Sequence, residues 1–128
     1  MDHPSIKKKN VIITGCNKGI GKATLEDFAK YRANIFACVR SNTQNFKNFV
    51  SKLKKKYKVK IYIIQLDLSN KSSILKCANE INEITRNIDI IVNNAGMLFN
   101  SLFLMTSEKQ LKEIFQVNYF SQIYFTQI

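Results

Sequence analysis

Residues Asn10-Val11-Ile12-Ile13-Thr14-Gly15-Cys16-Asn17-Lys18-Gly19-Ile20-Gly21 decide the fold. Asn10 to Thr14 is a β-branched run, the composition of a buried strand. It stops at a glycine loop, Gly15 to Gly21, where the chain must turn sharply and its backbone lies open to close approach. A helical pattern follows from Ile20 to about Tyr31, with Ala23, Phe28 and Ala29 assigned to the inner face. A helix that opens on glycines points its free N–H groups and positive dipole end back at the loop, which makes the loop a site for an anion.

Outward from this unit the same alternation repeats. Asn34 to Val39 reads as a second strand, followed by a lysine-rich helix with Phe46, Phe49, Val50, Leu53 and Tyr57 on one stripe. Val59 to Leu66 reads as a third strand. A helix from about Lys71 to Thr85 comes next, with Ile74, Leu75, Ala78, Ile81 and Ile84 inside. Asp89 to Val92 is the fourth strand, and a last helix runs from Glu108 to about Ile128 behind Thr106 or Ser107 as N-cap. Strands apolar on both faces, alternating with helices, imply a parallel sheet covered on both sides. Right-handed crossovers make it an α/β, Rossmann-like, doubly wound sheet of four strands plus the following helix. Residues 1–128 read as the N-terminal portion of one such domain, with no linker.

Bulk properties exclude more than they assign. The chain is 45% hydrophobic and 23% charged, ordinary for a globular domain. No apolar run approaches the roughly 20 residues of a membrane span. The polar start, Met1 to Asn10, has no apolar stretch behind it, so no secretory signal is expected and the expected location is cytoplasmic. Cys16, Cys38 and Cys77 lack metal-ligand spacing and read as reduced thiols; no metal is expected. The net charge of +11 raises the question of nucleic acid or anionic membrane. Seven of the twenty basic residues lie between Lys47 and Lys60, and Lys52, Lys54, Lys55 and Lys56 turn away from the apolar stripe. A solvated helix face accounts for them, and neither nucleic acid nor membrane is taken as a partner.

The loop spacing is Gly-x-x-x-Gly-x-Gly, and Asn93-Asn94-Ala95-Gly96 follows the fourth strand. Asp67-Leu68-Ser69 ends strand three, Asp89 opens strand four, and Val117-Asn118 lies within the last helix. These motifs, in this order, resemble the short-chain dehydrogenase/reductase family from about Lys9 to the last residue. Within that family the chain looks most like the 3-oxoacyl-acyl-carrier-protein reductases and related carbonyl reductases. The resemblance implies an oxidoreductase moving a hydride between a nicotinamide and a small carbonyl or alcohol, homo-oligomeric in its full-length form. It further implies that Gly15, Cys16, Asn17, Lys18, Gly19, Ile20 and Gly21 hold the pyrophosphate and adenosine ribose. Asp67 and Leu68 would meet the adenine, and Asn93, Ala95 and Gly96 the ribose. Asn118 matches the asparagine that kinks the helix and holds a water in the proton relay. For Asp67, a helix N-cap near Ser69 is the rival role.

Cofactor choice has a physical argument. A ribose 2′-hydroxyl calls for an acid just past strand two, and a 2′-phosphate calls for cations. Strand two ends in Val39-Arg40-Ser41 with no acid near, and Lys18 stands in the glycine loop. Each charge-assisted hydrogen bond is worth about 1.5–3 kcal/mol, so two favour NADP(H) over NAD by two or more orders of magnitude. Two solvated surface cations are the alternative.

Departures from the family pattern are few but large. Arg32-Ala33 stands where Gly-Ala usually ends the first helix; a left-handed cap would strain Arg32, so a different turn is expected. Asn87 replaces the glycine before strand four and would tolerate the left-handed conformation. Cys16, beside the phosphates, is a candidate redox-sensitive thiol, and His3 has no assigned role. The family's serine and Tyr-x-x-x-Lys pair are missing, because no tyrosine has lysine four residues on. The chain therefore reads as a truncated, cofactor-binding half that is inactive alone; the other reading is a non-catalytic half domain that binds NADP or a partner.

Overall fold

The computed structural model describes residues 6–128, and His3 lies outside the described residues. Strands β1 (Asn10–Thr14), β2 (Asn34–Val39), β3 (Ile61–Gln65) and β4 (Ile90–Val92) form one parallel sheet in the order β3-β2-β1-β4. Helices α1 (Gly19–Lys30), α2 (Gln44–Tyr57) and α3 (Lys71–Ile84) are the crossovers. After β4 come a 3-10 turn (Phe103–Met105), α4 (Glu108–Phe115), a π-helical segment (Gln116–Phe120) and α5 (Ser121–Gln127).

Period-two alternation of apolar residues divides the core into two layers. Val11, Ile13, Ile35, Ala37 and Val39 face α1 and α2, with Leu25, Ala29, Phe46, Val50 and Leu53. Ile12, Phe36, Cys38 and Ile64 face the other side, where Ile74, Cys77, Ile81, Val117 and Phe125 cover them. Burying a side chain such as Phe36 or Ile13 fully contributes about 1.5–3 kcal/mol. The chain steps outward from β1 to β3, then returns to the far side of β1 as β4. That reversal opens a crevice at the carboxyl ends of β1 and β4, where ligands of doubly wound sheets bind.

Several details depart from expectation. In α1 the inner face is Gly21, Leu25 and Ala29, and Ala23 is exposed, because the helix packs through the turn after the glycines. In α3, Leu75 and Ile84 are exposed and Cys77 is buried. Strand β3 is shorter than the apolar run that contains it. Arg32 does adopt the left-handed conformation, with φ 62°. Its N–H donates to the Ala29 carbonyl at 3.0 Å and that of Ala33 to the Phe28 carbonyl at 3.1 Å, the paired bonds of a Schellman cap. These bonds, rather than the missing Cβ of glycine, hold the turn. Asn87, by contrast, is not left-handed. The last helix is not continuous but interrupted by the π-helical segment that contains Asn118.

Candidate functional site

At the crevice the four strand ends bring their loops around a cleft of about 1000 Å³, closed on one side by the last helices. Gly15, Asn17, Lys18, Gly19, Ile20 and Gly21 line it from the glycine loop, Arg40 and Ser41 from the end of β2, and Leu66, Asp67, Leu68 and Ser69 from the end of β3. Asn94, Ala95, Gly96 and Met97 follow from β4, and Glu113, Gln116 and Val117 close the side.

The loop's geometry follows from its glycines. Gly15 has φ 66°, and a Cβ there would stand 2.8 Å from Ala95 Cα. A Cβ on Gly21 would collide with the Asn94 amide and the Gly15 carbonyl oxygen. Gly19 has φ 53° and open space where a side chain would be, so the backbone there faces the cleft bare. Behind the loop, α1 starts with no side-chain cap and no acid in its first turn. Thr43, Asn70 and Ser107 cap α2, α3 and α4 with side-chain oxygens, Ser107 in a capping box with Gln110. The helix that opens on the cleft is therefore the one whose first N–H groups are left for an outside acceptor.

A hydrogen-bond lattice fixes the β1 and β4 loops to each other. Buried Thr14 accepts from the N–H groups of Asn94 (3.0 Å) and Ala95 (2.9 Å) through Oγ1. Asn94 Nδ2 donates to the carbonyls of Thr14 and Gly15, both at 3.0 Å. Gln122 Nε2 donates to the Ala95 carbonyl at 2.6 Å. Asn118 brackets Met97: its Oδ1 accepts from the Met97 N–H at 2.8 Å and its Nδ2 donates to the Met97 carbonyl at 2.7 Å. Asp67 Oδ1 accepts from the N–H (2.9 Å) and hydroxyl (2.6 Å) of Ser69, closing the turn before α3. The N-cap of α3 is Asn70, so Asp67 does not fill the capping role.

Three expected site residues stand apart from the cleft wall. Cys16 is fully buried against the core, its Sγ 3.7 Å from the Cys38 carbonyl, and burial pushes its thiol up to about 12. Such a thiol carries almost no thiolate at neutral pH, which corrects the expectation of a redox-sensitive group beside the phosphates. Asn93 turns to the opposite side, with Nδ2 3.4 Å from Thr126 Oγ1. Asn93 and Asn118 line a separate shallow depression with Thr126. Sequence reasoning missed Thr14, Asn94 and Gln122. Only Asn94 left a signal, as the second of two adjacent asparagines, while Gln122 sits one turn after Asn118.

The family model for short chain dehydrogenases matches residues 9–128. The chain belongs to the short chain dehydrogenase family. It is 32% identical over 113 residues to the 3-oxoacyl-[acyl-carrier-protein] reductase FabG of Aquifex aeolicus, covering 88% of this chain and 45% of that protein. It is 29% identical over 114 residues to 17-beta-hydroxysteroid dehydrogenase 13 of Rattus norvegicus, covering 89% and 37%. Among solved structures, the bulky-bulky ketone specific alcohol dehydrogenase of Comamonas testosteroni superposes with TM-score 0.80 at 26% identity, covering 93% of this chain and 47% of that one. The L-sorbose reductase of Gluconobacter frateurii shares the fold, with TM-score 0.87 at 24% identity over 95% and 46% of the two chains. The chain thus spans less than half the length of each relative.

Proposed function

We propose that the cleft binds NADPH and that this chain is the cofactor-binding half of an oxidoreductase acting between a carbonyl and an alcohol. The observation that carries the reading is the uncapped start of α1 behind a glycine loop that bares its backbone to the cleft. When bound, the cofactor supplies a hydride from its nicotinamide. The N–H groups of the first turn of α1 hold its pyrophosphate, and the helix dipole adds to that hold. Asp67 has a carboxylate oxygen beyond the one engaged by Ser69, available to an adenine amino group. Asn118 sets the course of the chain after Gly96 through its two bonds to Met97. Asn93, on the far side, supports α5 rather than the cofactor.

Preference for the phosphorylated cofactor follows from Lys18 and Arg40, which line the cleft from two loops. Neither side chain has an ion-pair partner among the described residues. Titration of both cofactors tests this. Binding should favour NADPH, and Arg40→Ala should lose about 10–150-fold for NADPH while NADH is little changed. Equal affinities in the unaltered chain would overturn the assignment.

A second reading, a half domain that binds the cofactor without turnover, is favoured by one fact. Tyr31, Tyr57, Tyr62, Tyr119 and Tyr124 all lack a lysine four residues on. Neither reading expects this chain alone to oxidise NADPH with an activated ketone, and turnover would overturn the second.

A further inference from the structure

At the pole opposite the cleft, where the parallel strands begin, the molecule gathers cations. Lys8 and Lys9 precede β1, Arg32 precedes β2, Lys58 and Lys60 precede β3, and Arg86 precedes β4, all exposed. The last turn of α2 ends at the same pole and adds Lys54, Lys55 and Lys56. Backbone bonds tie these turns together: Lys8 N–H to the Arg32 carbonyl, and Ile35 N–H to the Lys60 carbonyl, both 2.9 Å. From Phe28 to Leu66 there are ten Lys and Arg and no Asp or Glu. Of the acids toward this pole, Asp27 pairs with Lys30 and Asp89 with Lys9, each at 2.9 Å, while Glu80 and Glu83 at the end of α3 have no ion pair among the described residues.

Backbone conformation marks the same pole. Among the described residues three non-glycine positions have positive φ: Lys8 (63°), Arg32 (62°) and Lys58 (53°). All three are cations, and all three lie at this pole. Such positions favour glycine or asparagine, so a long charged side chain there is held against local preference. Complementing a helix dipole takes a single cation in the last turn and does not explain a field spread over four strand starts.

We infer that this basic pole docks the domain, cleft outward, on an anionic lipid bilayer. None of these cations lines the cleft or the depressions beside α4 and α5. The charges form a broad patch drawn from several elements, which suits a flat polyanion. They are mostly lysines, hydrated point charges rather than the planar forks that read bases or bind phosphate bidentately. The aromatic residues of α2, Phe46, Phe49 and Tyr57, pack toward the core and offer no platform for nucleic-acid bases. No helix among the described residues is long and apolar enough to cross a membrane. Basic clusters of this size bind anionic leaflets through the surface potential.

The experiment is co-sedimentation of the full chain with vesicles of phosphatidylcholine, alone or mixed with phosphatidylserine. Binding is expected only to the mixed vesicles, should fall with added salt, and should be unchanged by saturating NADPH, because the cleft is at the other end. Lys54→Gln, Lys55→Gln and Lys56→Gln together should weaken it roughly 100-fold, about fivefold per charge. Arg32→Gly with Lys58→Gly should raise the melting temperature, by relieving the left-handed positions, and still weaken vesicle binding. A more stable glycine variant that binds vesicles unchanged would overturn the proposal. So would absence of binding to the mixed vesicles, or its loss on adding NADPH, which would place the contact at Lys18 and Arg40. Tighter retention of a DNA duplex than of the mixed vesicles at equal phosphate would overturn it in favour of nucleic acid.

Discussion

Gly21 has no room for a side chain, since a Cβ would meet both the Asn94 amide and the Gly15 carbonyl oxygen. The Asn94 amide is itself the clasp between the β1 and β4 loops, donating to Thr14 and Gly15. Gly21→Ala should therefore open that clasp and cost about 1–3 kcal/mol, the usual penalty of overpacking. Urea denaturation measures it, and a midpoint equal to that of the unaltered chain would show that the clasp yields freely. Cys16, five residues earlier, makes a different test of the same loop. Burial holds its thiol near 12 and the side chain has no exposure, so alkylation at pH 8 should be slow in the folded chain and rapid in denaturant. Saturating NADPH should change that rate only through overall stabilisation of the fold. Mass spectrometry of timed samples reads the result; fast labelling of the folded protein would place Cys16 in the cleft after all.

At the scale of elements, the strands and their two-sided burial were legible because period two survives any packing. Helix faces were less so. The inner face of α1 depends on how the glycine loop delivers the helix to the sheet, and about half a turn of rotation exchanges Ala23 for Leu25. The cap at Arg32 was misread because two hydrogen bonds outweigh a left-handed penalty of about 1–2 kcal/mol, a balance no residue identity displays. Eleven of the fourteen expected site residues line the cleft, placed there by the glycine loop and the strand ends, which are visible as spacing. The side chains of Asn93 and Cys16 stand off the cleft because alternation along the backbone sends adjacent side chains to opposite sides. The start of β4 carries a pH dependence. The Asn10 N–H and Lys9 hold the Asp89 carboxyl below its usual range, with hydrogen bonds of 2.8 and 2.9 Å. A depressed folded value contributes stability above the unfolded value of about 3.9 and loses it as pH falls through the folded one. Asp89→Asn should therefore lower the urea midpoint at pH 7, and the gap should close as the buffer is taken below about pH 4. A gap independent of pH would assign the loss to packing instead of charge.

The whole molecule leaves much apolar surface uncovered. The 3-10 turn presents Phe103 and Leu104 at 86% and 96% exposure, with Leu102 and Met105 beside them. Phe115, Tyr119, Phe120 and Ile123 are exposed along the interrupted helix, and among the described residues β4 pairs with β1 alone. Apolar patches of this extent mark a surface that another element or chain covers, and an unpaired strand edge is a template for association. Both features act in the same direction, so the 128-residue chain should self-associate in solution despite its charge of +11, which opposes close approach. Two variants apportion the cause. Phe103→Ser with Leu104→Ser removes side chains that touch little of their own fold, so the melting temperature should hold while association weakens. Ile91→Lys would place a charge on β4, but Ile91 also packs against the α3 layer, so a loss of stability is expected with it. Sedimentation velocity over a range of concentrations, at low and high salt, reads the result. Association should strengthen as salt screens the positive charge and fall in the serine variant. A monomer at every concentration and salt would show that the exposed turn is tolerated in water. Association unchanged in the serine variant would move the contact to the β4 edge.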